Sequence, residues 1–124
     1  EAPVIRSDGK FSRDYVYVED AAHAYMLVAE KIGSGSAVQG NAFNFSYESP
    51  LTALEVVEKV TACMERTDLK PIIQNAAQNE IPHQYLSAKK AREILGWRAE
   101  YDFESGLERT IPWYAQLLKE DTAK

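Results

Sequence analysis

Apolar side chains recur along this chain at two different spacings, and each spacing predicts a different kind of element. Early in the chain they recur at every second position, as in a strand, and later every three or four residues, as in a helix. In chain order the pattern predicts a hairpin, a strand, a helix, a strand, a helix, a strand and two helices. The expected fold is therefore a small mixed α/β unit without internal repeats.

The predicted extended segments are short. Asp8 and Gly9 lie between two of them and predict a hairpin or a tight turn, because glycine tolerates a positive φ. Bulky residues then alternate on both faces, which predicts an interior strand. These are Tyr15, Tyr17 and Glu19 on one face and Val16 and Val18 on the other. Two further short strands are expected at residues 43–46 and 71–73, the first with two phenylalanines on one face.

Four helices are predicted from caps and apolar stripes. Aspartate and serine are expected before each helix, because their side chains accept hydrogen bonds from the free N–H groups of a first turn. The expected caps are Asp20, Ser49, Ser87 and Asp102. Gly96 is expected to end the third helix, with Trp97 packing back onto it, and Pro112 to kink the fourth. The expected buried stripes include Ala21, Tyr25, Val28, Ala29 and Ile32 in the first helix, and Leu54, Val57, Val60 and Met64 in the second.

The composition is that of one ordinary globular domain. The 124 residues are 45% hydrophobic, yet no apolar run approaches the roughly 20 residues that span a bilayer, so membrane insertion is not expected. A net charge of −5 argues against a nucleic-acid surface. The one cysteine, Cys63, excludes an internal disulfide, is expected in the core and fits a reducing, cytoplasmic compartment. The opening residues carry no initiator methionine or signal peptide and indicate a piece of a longer protein.

No complete catalytic constellation is present in the sequence. His23 and His83 are the only histidines, and neither has a partner at the spacing of metal ligands. No serine lies in a nucleophile elbow, and Cys63 has no adjacent base. The glycines within residues 33–40 do not have the spacing of a dinucleotide-binding loop. A binding function is therefore favoured over catalysis.

Arg13 and the loop at residues 75–84 are the candidate binding residues. A guanidinium directly before a strand suits bidentate capture of phosphate or carboxylate, but it also suits a surface ion pair with Asp14 or Glu19. The loop carries amides and a histidine that can recognise hydroxyl groups, or it is simply a polar connection. Both pairs of alternatives stay open on the residues alone.

Three separated stretches give the sequence a family resemblance. They read SDGKFSRDYVYVEDAAHAY, NAFNFS and NEIPHQYLSAKKAREILGWRAEYDFESGLERTIPWY. In this order they resemble the C-terminal part of the extended short-chain dehydrogenase/reductase family, specifically nucleotide-sugar epimerases and 4,6-dehydratases. The last stretch looks most like the CDP-glucose 4,6-dehydratase type. The resemblance covers nearly the whole chain.

This resemblance implies that residues 1–124 are the C-terminal nucleotide-sugar-binding lobe of a Rossmann-type enzyme. In that family the arginine before the (Y/F)-x-(Y/H)-V strand contacts the substrate diphosphate, a role that falls on Arg13. Many relatives carry a second phosphate-binding arginine in the later loop, where this chain has no arginine and Asn79 or His83 would substitute. The residues expected around the nucleotide and sugar are Tyr15, Tyr17, Asn79, His83 and Gln84.

The resemblance also implies what this chain lacks. In the family an N-terminal Rossmann domain binds NAD(P) and carries the residues that move the proton and hydride. The parent would thus be an NAD(P)-dependent nucleotide-sugar dehydratase or epimerase whose substrate lobe is inactive alone. Apolar surface for that partner domain is expected near Arg13 and the loop. The alternative is a non-catalytic relative that kept the fold as a regulatory or protein-interaction module.

Overall fold

The computed structural model describes residues 1–34 and 38–121, so part of the glycine-rich segment 33–40 lies outside the described residues. It confirms the predicted small mixed α/β class. None of its described helices is long and apolar enough to cross a lipid bilayer. In chain order the elements are β1 (Val4–Ile5), β2 (Ser12–Arg13), α1 (Val18–Gly33), β3 (Leu51–Thr52), α2 (Ala53–Cys63), β4 (Ile72–Ile73), β5 (His83–Gln84), the π-helix Ala91–Leu95 and α3 (Phe103–Asp121).

Two small sheets are assembled from strands that are far apart in the sequence. β1 pairs in parallel with β4, while β2 lies between the antiparallel β3 and the parallel β5. The predicted hairpin is wrong, because β1 and β2 belong to different sheets. The tight turn between them is confirmed: the Ser7 hydroxyl accepts from the Gly9 N–H at 3.1 Å, and Gly9 has a φ of 84°. A Cβ on Gly9 would lie 2.6 Å from Leu54 Cγ, so the site also needs glycine sterically.

The predicted strand at residues 15–19 is wrong, because α1 begins within it. Asp20 therefore lies inside the first turn of α1 and does not cap it. Its fully buried carboxylate accepts from the backbone N–H groups of Glu100 at 2.8 Å and Tyr101 at 3.3 Å, and from the Tyr47 hydroxyl. These donors compensate the burial of a charge and tie the start of α1 to the segment before α3.

The main core lies between α1, the π-helix and the segment at residues 43–47. Phe43, Phe45 and Tyr47 pack against this core from an extended segment that is not assigned as a strand. The predicted strand there is wrong, but the inward face of its two phenylalanines is confirmed. The fully buried members of the core are Ala24, Val38, Ala88, Ala91, Leu95 and Trp97, so Trp97 does pack back as predicted.

Helix α1 buries only part of the predicted stripe: Ala21 and Val28 are partly buried, but the most buried residue, Ala24, lies outside it. Ala24 is buried and Leu27 and Val28 are partly buried, whereas Tyr25 is 81% exposed and Ile32 is 45% exposed. The helix is apolar on both sides, so its period alone does not determine which side packs.

Local signals locate the ends of the last two helical segments as predicted. Asp102 Oδ1 accepts from the Ser105 N–H at 2.8 Å at the start of α3. The Ser87 hydroxyl accepts from the Lys89 N–H at 3.3 Å, where residues 89–90 form the helical lead into the π-helix; the π-helix itself has no side-chain cap. Gly96 ends that segment in the left-handed region, with a φ of 75°.

The predictions for α2 fail at both ends. The helix is capped by Thr52, which forms a reciprocal capping box with Glu55, and Ser49 is not its cap. The S/T-x-x-E pattern was present in the sequence and is the more specific signal. At the other end Cys63 and Met64 are exposed, so the expectation that Cys63 lies in the core is wrong.

Candidate functional site

Arg13 lies on the central strand of the three-stranded sheet. In β2 it is opposite Leu51 of β3 on one side and Gln84 of β5 on the other. Its guanidinium donates to the Ser12 carbonyl at 2.8 Å and lies 4.0 Å from a carboxylate oxygen of Glu80, too long for a hydrogen bond. The side chain is 31% exposed, so the sheet holds it while one side stays open to solvent.

The surface ion pairs considered for Arg13 do not form, because both candidate carboxylates have other partners. Asp14 accepts from the Ser46 hydroxyl and from the backbone of residue 48. Glu19 pairs with Arg109 at 3.3 Å. The carboxylate beside Arg13 instead belongs to the candidate loop itself.

The loop reaches Arg13 because β5 continues from it. The Ser12 N–H donates to the Pro82 carbonyl at 2.8 Å, and the Ser12 hydroxyl shares a 3.0 Å hydrogen bond with His83 Nδ1. Asn79, four residues before the start of β5, has a φ of 58° and is exposed. The predicted adjacency of Arg13 and the loop is thus confirmed, with His83 and Gln84 on the strand next to it.

Tyr15 and Tyr17 lie in an open groove of about 920 Å³ between the segment before α1 and one side of α3. The ring of Tyr15 packs edge to face against Phe103, with ring centroids 5.7 Å apart. The rings of Tyr17 and Tyr101 pack in the same way, with centroids 4.8 Å apart. A Cβ on Gly106 would lie 3.2 Å from Tyr17 Cβ, so the small residue lets α3 approach. These two tyrosines therefore have a packing role as well as an exposed groove face.

The six predicted site residues consequently fall into two groups. Arg13, Asn79, His83 and Gln84 gather around β2 and β5, and Tyr15 and Tyr17 line the groove. The groove lining does not include the first group. The structure brings most of the predicted residues together but does not put all six in one cavity.

The lining of the groove includes Glu19, a carboxylate that the sequence analysis did not propose as functional. Glu19 accepts from the Tyr101 hydroxyl at 2.6 Å and from the Tyr17 hydroxyl at 3.3 Å, and it pairs with Arg109. The Tyr101 hydrogen bond, reinforced by the Arg109 charge, lowers the pKa of Glu19 below its ordinary value. Glu19 is thus kept ionised and orients the aromatic side chains around it.

A second cavity of about 340 Å³ adjoins the groove through Tyr15 and Tyr47. Three cations line it, and each already has an acceptor in the chain. The contacts are Lys59 with Glu104, Arg92 with Glu48, and Arg98 with the Trp97 carbonyl. The cavity therefore offers less uncompensated positive charge than its lining suggests.

Sequence reasoning missed Arg6, and it included Glu80 only among the hydrogen-bonding residues of the loop at 75–84. Arg6 Nη2 lies 2.5 Å from Glu80 Oε1, and the other oxygen of the same carboxylate faces Arg13. Glu80 is separated from Arg6 by 74 positions, so no spacing in the sequence signals the contact. The three side chains form a charged cluster between the two sheets.

The described residues show neither the glycine loop of a dinucleotide site nor a group of metal ligands. Gly9 lies in a tight turn and Gly96 ends a helix, and neither follows a strand and opens a helix as a dinucleotide loop requires. Within residues 1–34 and 38–121, no group of three histidine, cysteine, aspartate or glutamate side chains is arranged to hold a metal ion.

Comparison with known proteins finds similar sequences and structures. Residues 1–44 match the NAD dependent epimerase/dehydratase family. The dTDP-glucose 4,6-dehydratase of Neisseria gonorrhoeae is 32% identical over 123 residues, which cover 89% of this chain and 34% of that enzyme. The chain is homologous to nucleotide-sugar epimerases and dehydratases. It spans about a third of the length of the curated relatives it matches.

Solved structures show the same fold. A UDP-glucose 4-epimerase from Thermotoga maritima, with UDP-glucose, superposes with a TM-score of 0.79 at 24% identity over 95% of this chain and 36% of that one. A dTDP-glucose 4,6-dehydratase from Bacillus anthracis, in complex with NAD, superposes with a TM-score of 0.76 at 24% identity over 94% and 35%. The small α/β unit thus matches about a third of each of these enzymes.

Proposed function

We propose that this chain is the substrate-binding lobe of an NAD(P)-dependent nucleotide-sugar epimerase or 4,6-dehydratase, and that Arg13 binds the substrate diphosphate. The observation that carries the proposal is the half-buried guanidinium of Arg13 on the central strand, beside β5 and the polar loop. Planar guanidinium groups are suited to phosphate oxygens, and a sheet fixes the direction of the side chain.

The loop supplies the neutral part of the proposed site. His83 is oriented by Ser12 and Gln84 lies opposite Arg13, while Asn79 is exposed one residue from Glu80. Amides and an imidazole can recognise sugar hydroxyls or the nucleotide through hydrogen bonds. Tyr15 and Tyr17 would contribute from the neighbouring groove, whose apolar wall suits a ring.

Cofactor chemistry is proposed to lie outside this lobe. In the parent enzyme a Rossmann domain would hold NAD(P), which supplies the oxidation of the sugar and the return of the hydride. Residues 1–124 would bind and orient the nucleotide sugar and would be inactive alone. The last sequence stretch resembles the CDP-glucose 4,6-dehydratase type, and the relatives include dTDP-glucose 4,6-dehydratases, so both nucleotide sugars are candidate substrates to test.

Nuclear magnetic resonance of the labelled 124-residue chain tests the proposal. CDP-glucose, dTDP-glucose and UDP-glucose are titrated separately, and we expect shift changes at β2 and at residues 79–84. Arg13→Ala should weaken binding by about 1.5–3 kcal/mol, the range for hydrogen bonds to charged groups. Arg66→Ala is the matched control, since Arg66 pairs with Asp68 on an exposed turn at 2.9 Å.

Unchanged affinity in Arg13→Ala would contradict the role of Arg13. Binding of none of the three sugars would favour the alternative, a module that kept the fold for regulation or protein interaction. The exposed apolar side chains of α1 give that alternative a specific surface to test.

A further inference from the structure

Two arginines from different sheets converge on one carboxylate. Arg6 follows β1, Arg13 lies in β2, and the two oxygens of Glu80 face one guanidinium each, at 2.5 and 4.0 Å. Arg6 is 74% exposed, while Arg13 and Glu80 are each about one-third exposed, at 31% and 30%. The cluster is therefore accessible to a ligand from solvent.

The position of Glu80 is determined by anchors on both sides of it. Before it, the N–H groups of Gln74 and Ala76 donate to the carbonyls of Ile5 and Arg6, both at 2.8 Å. After it, β5 pairs with β2. Glu80 thus lies in a short bridge that crosses from one sheet to the other. The left-handed Asn79 immediately before it helps direct this crossing.

The carboxylate occupies the position in which two guanidinium groups would meet an anionic ligand. Carboxylate and phosphate oxygens make the same charge-assisted, often bidentate, contacts with arginine. A diphosphate carries more charge and more acceptor oxygens than a single carboxylate, and its two phosphate groups can engage both arginines at once.

We infer that Arg6 and Arg13 form a two-arginine diphosphate site and that Glu80 occupies it in the free chain as an internal competitor. This inference rests on the proposed function and names the second cation of the same site. It also accounts for residues 74–84, which contain no lysine or arginine, because the second positive charge comes from the chain after β1 instead.

Displacement of Glu80 is energetically accessible. A solvent-exposed ion pair contributes little to stability, and salt screens it. A multiply charged ligand therefore loses little when it displaces this carboxylate. Glu80 would move aside within the bridge while the anchors at residues 74–76 and at β5 stay in place.

The test is a titration of the 124-residue chain with inorganic pyrophosphate and, separately, with dTDP-glucose at low ionic strength. Binding is measured from the changes in backbone amide chemical shifts. Arg6→Ala should weaken binding of both probes about fivefold, and Glu80→Gln should strengthen it about threefold, as expected for charged contacts at a partly exposed site. Arg66→Ala and Asp68→Asn remove the two members of a similar exposed pair and should leave both affinities unchanged.

The outcomes separate the inference from the proposed function. If Arg13→Ala weakens binding while Arg6→Ala and Glu80→Gln match the native chain, the two-arginine site is wrong and the proposed function stands. If neither the native chain nor Glu80→Gln binds either probe, both are wrong. If Arg6→Ala loses the native amide spectrum, Arg6→Gln takes its place. This variant keeps a long polar side chain and should show the same weakening of ligand binding.

Discussion

Among single residues, Asp20 joins segments that are far apart in the sequence. Its carboxylate binds the backbone of residues 100–101 and the hydroxyl of Tyr47. That hydroxyl also accepts from the Tyr17 N–H at 3.1 Å, so the network encloses the first turn of α1. A buried carboxylate with several donors is costly to alter, because each donor left without an acceptor loses its hydrogen bond.

Asp20→Asn should therefore destabilise the protein by about 2–3 kcal/mol. The amide has one accepting oxygen instead of two, and its NH₂ group would face a backbone donor. Urea unfolding followed by circular dichroism measures the change. Asp68→Asn is the control and should leave the free energy of unfolding nearly unchanged, since its ion pair is exposed. Equal effects in the two variants would contradict this account of Asp20.

Tyr47 predicts a specific alkaline behaviour. Burial, and then the hydrogen bond to Asp20, raise the pKa of Tyr47 well above its ordinary value of 10. A raised folded-state pKa contributes stability that is present below pH 10 and is lost as pH rises through and beyond that value.

Tyr47→Phe should cost about 1–2 kcal/mol at neutral pH, because two hydrogen bonds are lost. Its stability deficit relative to the native chain should shrink above about pH 10, where the unfolded native chain ionises Tyr47 and the variant does not. Urea unfolding at a series of pH values checks this. A deficit that stays constant or grows with pH would contradict the assignment.

At the scale of elements, caps determine where helices begin, and neighbours determine which face is buried. α2 starts at the Thr52 capping box, and α3 starts after Asp102 and continues through Pro112. Beyond that proline, Tyr114 and Leu118 are more than half exposed, so the apolar period of α3 does not correspond to burial along its full length.

The capping box of α2 gives an element-scale prediction. Thr52→Ala should lower the free energy of unfolding by about 1 kcal/mol, because the Glu55 N–H loses its acceptor at 3.2 Å. Ser49→Ala is the matched control and should stay within about 0.5 kcal/mol, since Ser49 does not cap the helix. The reverse order of the two effects would restore Ser49 as the cap. Denaturant unfolding of both variants decides between them.

At the scale of the whole molecule, large apolar side chains remain exposed on several sides. Ile81, Tyr85 and Leu86 are exposed on either side of β5 in the sequence, close to the loop where surface for a partner domain was expected. Exposed apolar residues also lie on α1 and on the second half of α3, so this surface is not confined to the predicted face. A lobe that works beside another domain would have such surface to cover.

The isolated chain should neither bind NAD tightly nor convert any nucleotide sugar, because its described glycines do not form a dinucleotide loop. Isothermal calorimetry with NAD should show no binding in the micromolar range, and product analysis after incubation with NAD and dTDP-glucose should show only substrate. A dissociation constant for NAD in the micromolar range would contradict the proposal that another domain of the parent enzyme binds the cofactor. Stable signals in the amide spectrum serve as the control for folding.

The sequence by itself determined features that depend on a few neighbouring residues. The turn at Gly9, the left-handed end at Gly96 and the cap at Asp102 follow from local backbone sterics and side-chain hydrogen bonding. The sequence resemblance also led to the expectation that Arg13 lies near the loop before β5, which the strand pairing confirms.

Only the tertiary structure decided which apolar side of α1 is buried, where α1 begins and which carboxylate meets Arg13. Each of these depends on contacts between distant segments: the backbone donors of Asp20 lie 80 and 81 positions away, and the partner of Arg6 lies 74 positions away. Such contacts leave no period in the sequence. Their energy depends on burial and on the geometry of two sheets that exist only after the chain has folded.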